Sequence, residues 1–418
     1  MTRRGVFAPP VLENMFARVV GLLSGRLVGP ALILAAAAAM LVPGQATLPV
    51  TDRDEARYVM ASRQMLETGD FIDIRNQEDA RWKKPVGIYW LQSGTAALAG
   101  GADRAEIAAY RVPSALGAAG SALLTLWAFA PMAGRRTAAL AALLLATATL
   151  VAIEGHLAKT DAMLLATIVA AQGAFLRLTD PERPASRSFS WLHALFWAAM
   201  AAGTLVKGPI ILLAVVPLAL CFALTGRSLD PPRRLVPLRG MGLYLVLTLP
   251  WFIAIGIKTD GAFFAESIGR DLLGKVGTGQ ESHGGPPGYY LATVWFTFWP
   301  WAPFALVGLP ALWAARRSRT ALYVAGAVIP VWVVFALSAT KLPHYILPAF
   351  PALALTVAFG LVSARQSGRL MAWAAAFLLA LPGLVHAGLT GALVPVSEGH
   401  VAPLPAILAL TGAALTLM

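Results

Sequence analysis

The chain has 418 residues, of which 58% are hydrophobic and only 13% charged, with a mean hydropathy of +0.68. A water-soluble fold of this length could not hide so much apolar surface, and long apolar runs recur along the chain, so it reads as a membrane protein. The single cysteine, Cys221, excludes a disulfide framework and a cysteine metal site. The net charge of +12 does not mark a nucleic-acid partner, because the arginines sit in short loops between apolar runs, which is the membrane-orientation signal.

The N-terminal stretch MTRRGVFAPPVLENMFARVV is too long and polar for a signal-peptide n-region. No small-residue cleavage site follows the first apolar run, which therefore reads as a retained span from about Leu27 to Leu41. A polar stretch follows, from Thr51 to about Arg111. Within it, DEARYVMASRQMLETGD predicts an amphipathic helix ended by Gly69. PVGIYWLQSGTAAL predicts a second helix lying at the interface, with Tyr89 and Trp90 as anchors. Further apolar runs centre near residues 120, 145, 168, 198, 216, 247, 302, 329, 353, 380 and 410. With the first they predict about 12 spans in an all-α polytopic bundle. Residues 1–418 read as one transmembrane domain, with a C-terminal soluble domain absent or not included. The aromatic cluster Trp295, Phe296, Phe298, Trp299 and Trp301 reads as an interfacial belt.

With the N-terminus inside and spans alternating, the cytoplasmic segments are residues 1–26, PMAGRR, RLTDPERPASRS, TGRSLDPPRRLVPLRG, ARRSRT and ARQSGR. They hold 18 basic residues, all arginine, and four acids (Glu13, Asp180, Glu182 and Asp230), a balance of +14. The outer segments hold 15 basic residues and 17 acids, a balance of −2. The positive excess therefore lies on one face, as the positive-inside rule expects. All seven lysines fall outside (Lys83, Lys84, Lys159, Lys207, Lys258, Lys275 and Lys341), with most of the acids. The longest outer loops, 49–111 and 258–288, combine mixed charge, aromatics, Gly and Pro, and are expected to form the active-site face.

Five outer segments carry the candidate chemistry: Thr51 to Tyr58, Arg81 to Pro85, EGHLAKTD ending at Asp161, Lys258 to Tyr290 with Glu266, Arg270, Asp271 and His283, and ATKLPHY ending at Tyr345. Lys207 adds a cation in a short turn. Charges at helix ends beside a bilayer are costly unless solvated or paired, so such a set is expected to converge on one cleft. Carboxylates can act as a base or hold a metal, and Lys and Arg can neutralise phosphate. Spacing alone also fits plainer roles. Asp54, Glu55 and Arg57 suit solvated charges on an amphipathic helix, Lys83 and Lys84 snorkelling lysines, Asp161 a helix cap, His283 a loop residue and Lys341 an interface anchor.

The ordered set DEARYVMASRQMLETGDF, KKPVGIYWLQ, a Thr-Asp opening a span, GGPPGYY with FWPW, and TKLPHYILPAFPAL resembles the 4-amino-4-deoxy-L-arabinose lipid A transferase-like (ArnT-like) family, across about Asp52 to Ala352. That family belongs to the GT-C membrane glycosyltransferases, with the protein O-mannosyltransferases. The resemblance implies a GT-C-type bundle with periplasmic juxtamembrane helices. It also implies inverting transfer of a sugar from a polyprenyl-phosphate donor to lipid A or another envelope acceptor at the periplasmic face of the bacterial inner membrane. It implies catalytic roles for Asp54 and Asp161. Donor contacts are expected from Arg57, Tyr58, Lys83, Lys84, Lys207, Arg270, Lys341 and Tyr345, with Lys84 on the donor phosphate. The family's Glu and His metal-ligand positions are here Lys83 and Ser267, so no divalent metal or other cofactor is expected. A monomer is expected, with no nucleic-acid partner.

Overall fold

The computed structural model describes residues 18–50, 52–184, 188–273 and 284–363. Helix α1 (Val28–Leu41) is the first apolar helix, and α2 (Arg53–Thr68) follows it. Asp52 opens α2 by accepting the Asp54 N–H at 2.7 Å, and Asp54 and Glu55 lie in its first turn, where carboxylates complement the helix dipole. Gly69 closes it in the left-handed region, donating its N–H to the Met65 carbonyl. A two-residue hairpin, Arg75–Asn76 with Asp79–Ala80, then folds back on α2, pinned by Gln64 to the backbone of Gln77 in both directions.

Helix α3 (Gly87–Leu98) lies against α2 through Ser62 to Gln92 at 2.7 Å, Ser93 to the Ser62 carbonyl at 2.8 Å, and the Tyr58 and Tyr89 rings at 5.3 Å. Tyr89 is therefore no interface anchor. It is fully buried, because its ring is the partner Tyr58 needs, while Trp90 is 40% exposed. The start of α3 must also approach the Leu205 backbone. A Cβ at Gly87 would sit 2.8 Å from that carbonyl, so only glycine fits.

The bundle continues with α4 (Ile107–Ala133), α5 (Arg135–Ala146), α6 (Thr149–His156), α7 (Asp161–Leu178), α8 (Trp191–Lys207), α9 (Ile210–Thr225) and α10 (Pro237–Lys258). After a π-helical segment, Ala265–Leu273, come α11 (Tyr289–Thr297), α12 (Ala302–Ala314), α13 (Arg319–Leu337), a 3-10 segment Pro343–Ala349, and α14 (Phe350–Ser363). Among the described residues five helices are long and apolar enough to cross a membrane, or seven if two bent pairs each count as one span. The expected runs near 380 and 410 lie outside the described residues, as does His283.

The two bent pairs meet at their breaks. Helices α5 and α6 bend by 54° and α11 and α12 by 119°. Bending frees backbone groups that hydrocarbon cannot satisfy. Here Thr149 donates its N–H and hydroxyl to the Trp299 carbonyl, and Trp301 Nε1 donates to the Thr147 hydroxyl. This corrects the belt reading for part of FWPW: Phe298 is fully buried on Phe350 and Trp301 seals the neighbouring break. Phe296, at 77% exposure, keeps the outward position of a belt residue.

Charge segregates to the two ends of the bundle. At one end Arg135 donates to the Ser24 carbonyl, Arg319 pairs with Asp180, and Arg234 holds Asp230 and the Asp180 carbonyl. The described lysines and most other described acids gather at the opposite end. There a buried ion pair joins four segments. Arg111, 1% exposed, grips Glu55, 0% exposed, through Nε at 2.7 Å and a terminal nitrogen at 3.0 Å. Its other terminal nitrogen donates to the carbonyls of Gln45 and Leu48, and Glu55 also accepts the Ala158 N–H. Glu55 is thus not a solvated charge.

Removing one partner strands the other in a dry interior, which costs about 3–5 kcal/mol. Arg111→Met is expected to lower the thermal midpoint in detergent sharply, and Glu55→Gln less, because its amide oxygen still accepts hydrogen bonds. Differential scanning fluorimetry of the purified variants checks the order.

Candidate active site

The carboxylates and cations of the outer segments form two adjoining patches. The first is built by the start of α2 and the turn before α3. Asp54, on the exposed edge of α2, lies 3.7 Å from both Arg57 and Arg81. Arg81 is nearly buried and its guanidinium lies 4.8 Å from the centre of the Tyr58 ring. Trp82 donates to Asp73 at 2.7 Å, which fixes the turn that presents half-buried Lys83 and Lys84. The Lys84 ammonium pairs with Asp271 from the π-helical segment.

The second patch sits where α7 begins and α8 ends. Lys207 donates to Asp161 at 2.5 Å. Lys159 donates to Asp52 at 2.9 Å and lies 3.7 Å from Glu154. His344 stands between them, with Nδ1 3.7 Å from Glu154 and Nε2 4.0 Å from Asp161. The Tyr345 ring packs on Phe335 at 5.0 Å, with the Lys207 ammonium 6.0 Å from its centre. Asp161, 5% exposed, is therefore more than a helix cap: its side chain is spent on Lys207.

Tyr58 joins the patches. Burial pushes its phenol well above the ordinary value. The Tyr89 ring adds to this and Arg81 opposes it, while Asp54 and Asp161, one from each patch, both act on it. Burial likewise pushes Tyr89 up to about 12, so both phenols stay protonated hydrogen-bond donors at any physiological pH. Burial opposes ionisation of Asp52, but the hydrogen bond and charge of Lys159 outweigh it and hold the carboxyl below its usual range. Burial also works against the Lys159 ammonium, and Glu154, Asp161 and Asp52 overcome it.

The expected residues are not all gathered. Arg270 is 83% exposed at its side chain and pairs with Glu266 one turn back, so its neighbour Asp271 faces the site instead. Lys341 is buried and donates at 2.6 Å to the Ser338 carbonyl, satisfying the end of α13. Arg81, Asp271, Glu154, Lys159, Asp52 and His344 all lie in the five outer segments read from the sequence, but none was given a catalytic or donor-binding role there. Sequence showed that these charges need partners and did not show which ones.

The donor set does not fit a divalent cation of the kind the resemblance implies. Position 83 is an ammonium, Ser267 is a poor ligand, and the carboxylates of Asp52, Asp161 and Asp271 are taken by lysines. Among the described residues no three His, Cys, Asp or Glu side chains come together as a metal site.

Several known proteins are similar to this chain. An undecaprenyl phosphate-alpha-4-amino-4-deoxy-L-arabinose arabinosyl transferase from Aeromonas hydrophila is 30% identical over 344 residues, covering 81% of this chain and 61% of the relative. Its counterpart from Pectobacterium carotovorum is 29% identical over 309 residues, covering 73% and 54%. The chain thus spans 61% or less of the length of these curated relatives. The crystal structure of ArnT from Cupriavidus metallidurans bound to undecaprenyl phosphate superposes with a TM-score of 0.78 at 23% identity, covering 94% of this chain and 70% of that one. The Archaeoglobus fulgidus oligosaccharyltransferase in its apo form follows at 0.56 and 14% identity, covering 94% and 55%. These two likenesses show the GT-C fold. The family model described as dolichyl-phosphate-mannose-protein mannosyltransferase matches residues 38–263, more than half of the chain, and the protein belongs to that family.

Proposed function

We propose that this chain is a glycosyltransferase that moves a sugar from a polyprenyl-phosphate donor to lipid A or a related envelope acceptor, with inversion and without a metal. The observation that carries the reading is the pair of facing patches, in which Lys84, Arg81, Arg57 and Lys207 are brought to one end of the bundle around Asp54, Asp161 and a buried tyrosine pair. The names of the curated relatives and of the ArnT structure support an undecaprenyl-phosphate-linked donor. The loops at the opposite end, whose basic residues are all arginine, support a cytoplasmic location for that end and a periplasmic one for the site.

In the transfer, the bond between the sugar C1 and the phosphate oxygen breaks and its electron pair stays on that oxygen. An acceptor oxygen bonds to the opposite face of C1, which inverts the centre. Lys84, with Lys83 and Arg81 beside it, offsets the charge growing on the phosphate. Tyr58 supplies a hydrogen-bond donor. Asp54, the exposed carboxylate, orients the acceptor and takes its proton if it is a hydroxyl; an acceptor phosphate is already ionised and needs no base. Asp161 and Lys207 hold the ends of α7 and α8 together behind the site. The extra cation at Lys83 favours an anionic sugar such as a uronic acid.

Asp54→Asn is expected to lower transfer about 10²–10⁴-fold with expression unchanged, read by mass spectrometry of lipid A from a complemented deletion strain. Full activity of that variant would remove Asp54 from the mechanism. A chelator is expected to leave transfer by the purified enzyme unchanged; loss in EDTA with recovery on adding Zn²⁺ or Mn²⁺ would overturn the metal-free reading.

A further inference from the structure

The lysine assigned to the donor phosphate already holds an anion. Lys84 pairs with Asp271, whose carboxylate is 3% exposed and which arrives from 187 positions along the chain. Asp271 sits on the π-helical segment Ala265–Leu273, where its neighbours Glu266 and Arg270 pair with each other at 3.2 Å and Arg270 points into solvent. A carboxylate withdrawn from water is retained where a cation meets it, and π-helical turns concentrate at functional sites. A phosphate that reaches Lys84 brings a second anion to one ammonium. Like charges in contact repel, so the phosphate and Asp271 compete.

We propose that Asp271 is a positioning residue that competes with the polyprenyl phosphate for Lys84, and thereby sets how tightly that phosphate is held and how readily it leaves. The inference rests on the reading of Lys84 as the phosphate-binding group. The charge change in the reaction gives it a direction. The donor is a phosphodiester with one negative charge. When its bond to the sugar breaks, the electron pair stays with the phosphate and leaves a monoester that carries up to two. The product therefore grips Lys84 harder than the donor does, and the return of Asp271 to Lys84 helps to expel it. An internal counter-ion of this kind costs some donor affinity and relieves product inhibition.

The test uses the full chain in nanodiscs, with undecaprenyl phosphate as the probe. In Asp271→Asn, inhibition by undecaprenyl phosphate should tighten about tenfold, KM for the donor should fall by less, and kcat should fall as release slows. Asp271→Glu, which keeps the charge, should retain wild-type values. A folded Asp271→Asn protein with unchanged or weaker inhibition by undecaprenyl phosphate would overturn the proposal, because a merely structural role predicts that outcome. Should the variant not fold, hydrogen exchange of the wild-type protein decides. Undecaprenyl phosphate should speed exchange across Ala265–Leu273, and unchanged or slower exchange there counts against displacement of Asp271. Lys84→Ala separates the two layers. Probe binding that survives this change sinks the phosphate-binding reading itself. Binding lost in Lys84→Ala yet not tightened in Asp271→Asn sinks only the role of Asp271.

Discussion

The site end of the molecule depends on one buried ion pair. Arg111 and Glu55 lie in a dry interior, and between them they hold the end of the α1 connection at Gln45 and Leu48, the first turn of α2, the start of α4, and the backbone at Ala158. Arg111 and Glu55 meet through two hydrogen bonds in the planar fork that guanidinium and carboxylate groups share. Position follows from it. Asp52 and Asp54 precede Glu55 within one helical turn, so fixing Glu55 also fixes the carboxylate that meets Lys159 and the one that faces the open side of the site. Ala158 belongs to the loop that ends in Asp161, so the same knot sets the distance between the two patches.

Around this knot the lysine-bearing end is organised by pairing rather than by exposure. Lys207 holds Asp161, Lys159 holds Asp52, Lys258 holds Asp70 at 2.5 Å, and Lys84 holds Asp271. Buried charges survive only when compensated, so each pair ties together segments distant in the chain. Such pairs contribute little net stability. Their value is that they fix where each cation stands at this end of the bundle. Asp54 differs: it is about half exposed and its guanidinium partners are 3.7 Å away, which leaves it available to an acceptor.

Local signals made much of this legible in advance. The apolar helix at Leu27 to Leu41, the amphipathic helix closed by Gly69, and the separation of arginine loops from lysine and acid loops rest on periodicity, a glycine stop or charge sidedness, whereas the grouping of Arg57, Tyr58 and Lys84 came from the family resemblance. Properties set by distant partners were not legible. Glu55 has the spacing of a solvated residue, and only Arg111, 56 positions on, makes it buried. Tyr89 looks like an interface aromatic until Tyr58 covers it. Arg270 and Asp271 are adjacent, and the wider turn of a π-helix decides that the acid faces inward. The FWPW aromatics look like a belt because sequence does not show that a second helix breaks beside them at Thr147 and Thr149.

The central claim is that this end of the bundle transfers a sugar from a polyprenyl-phosphate carrier. Its most direct test is transfer by the purified chain in proteoliposomes supplied with an undecaprenyl-phosphate sugar and lipid A, followed by mass spectrometry of both lipids. The account predicts that lipid A gains the mass of one sugar residue while free undecaprenyl phosphate appears in equal amount, and that Lys84→Ala abolishes both changes. Lipid A left unmodified by well-folded protein across uronic acid, aminoarabinose and hexose donors, with no undecaprenyl phosphate released, would contradict it.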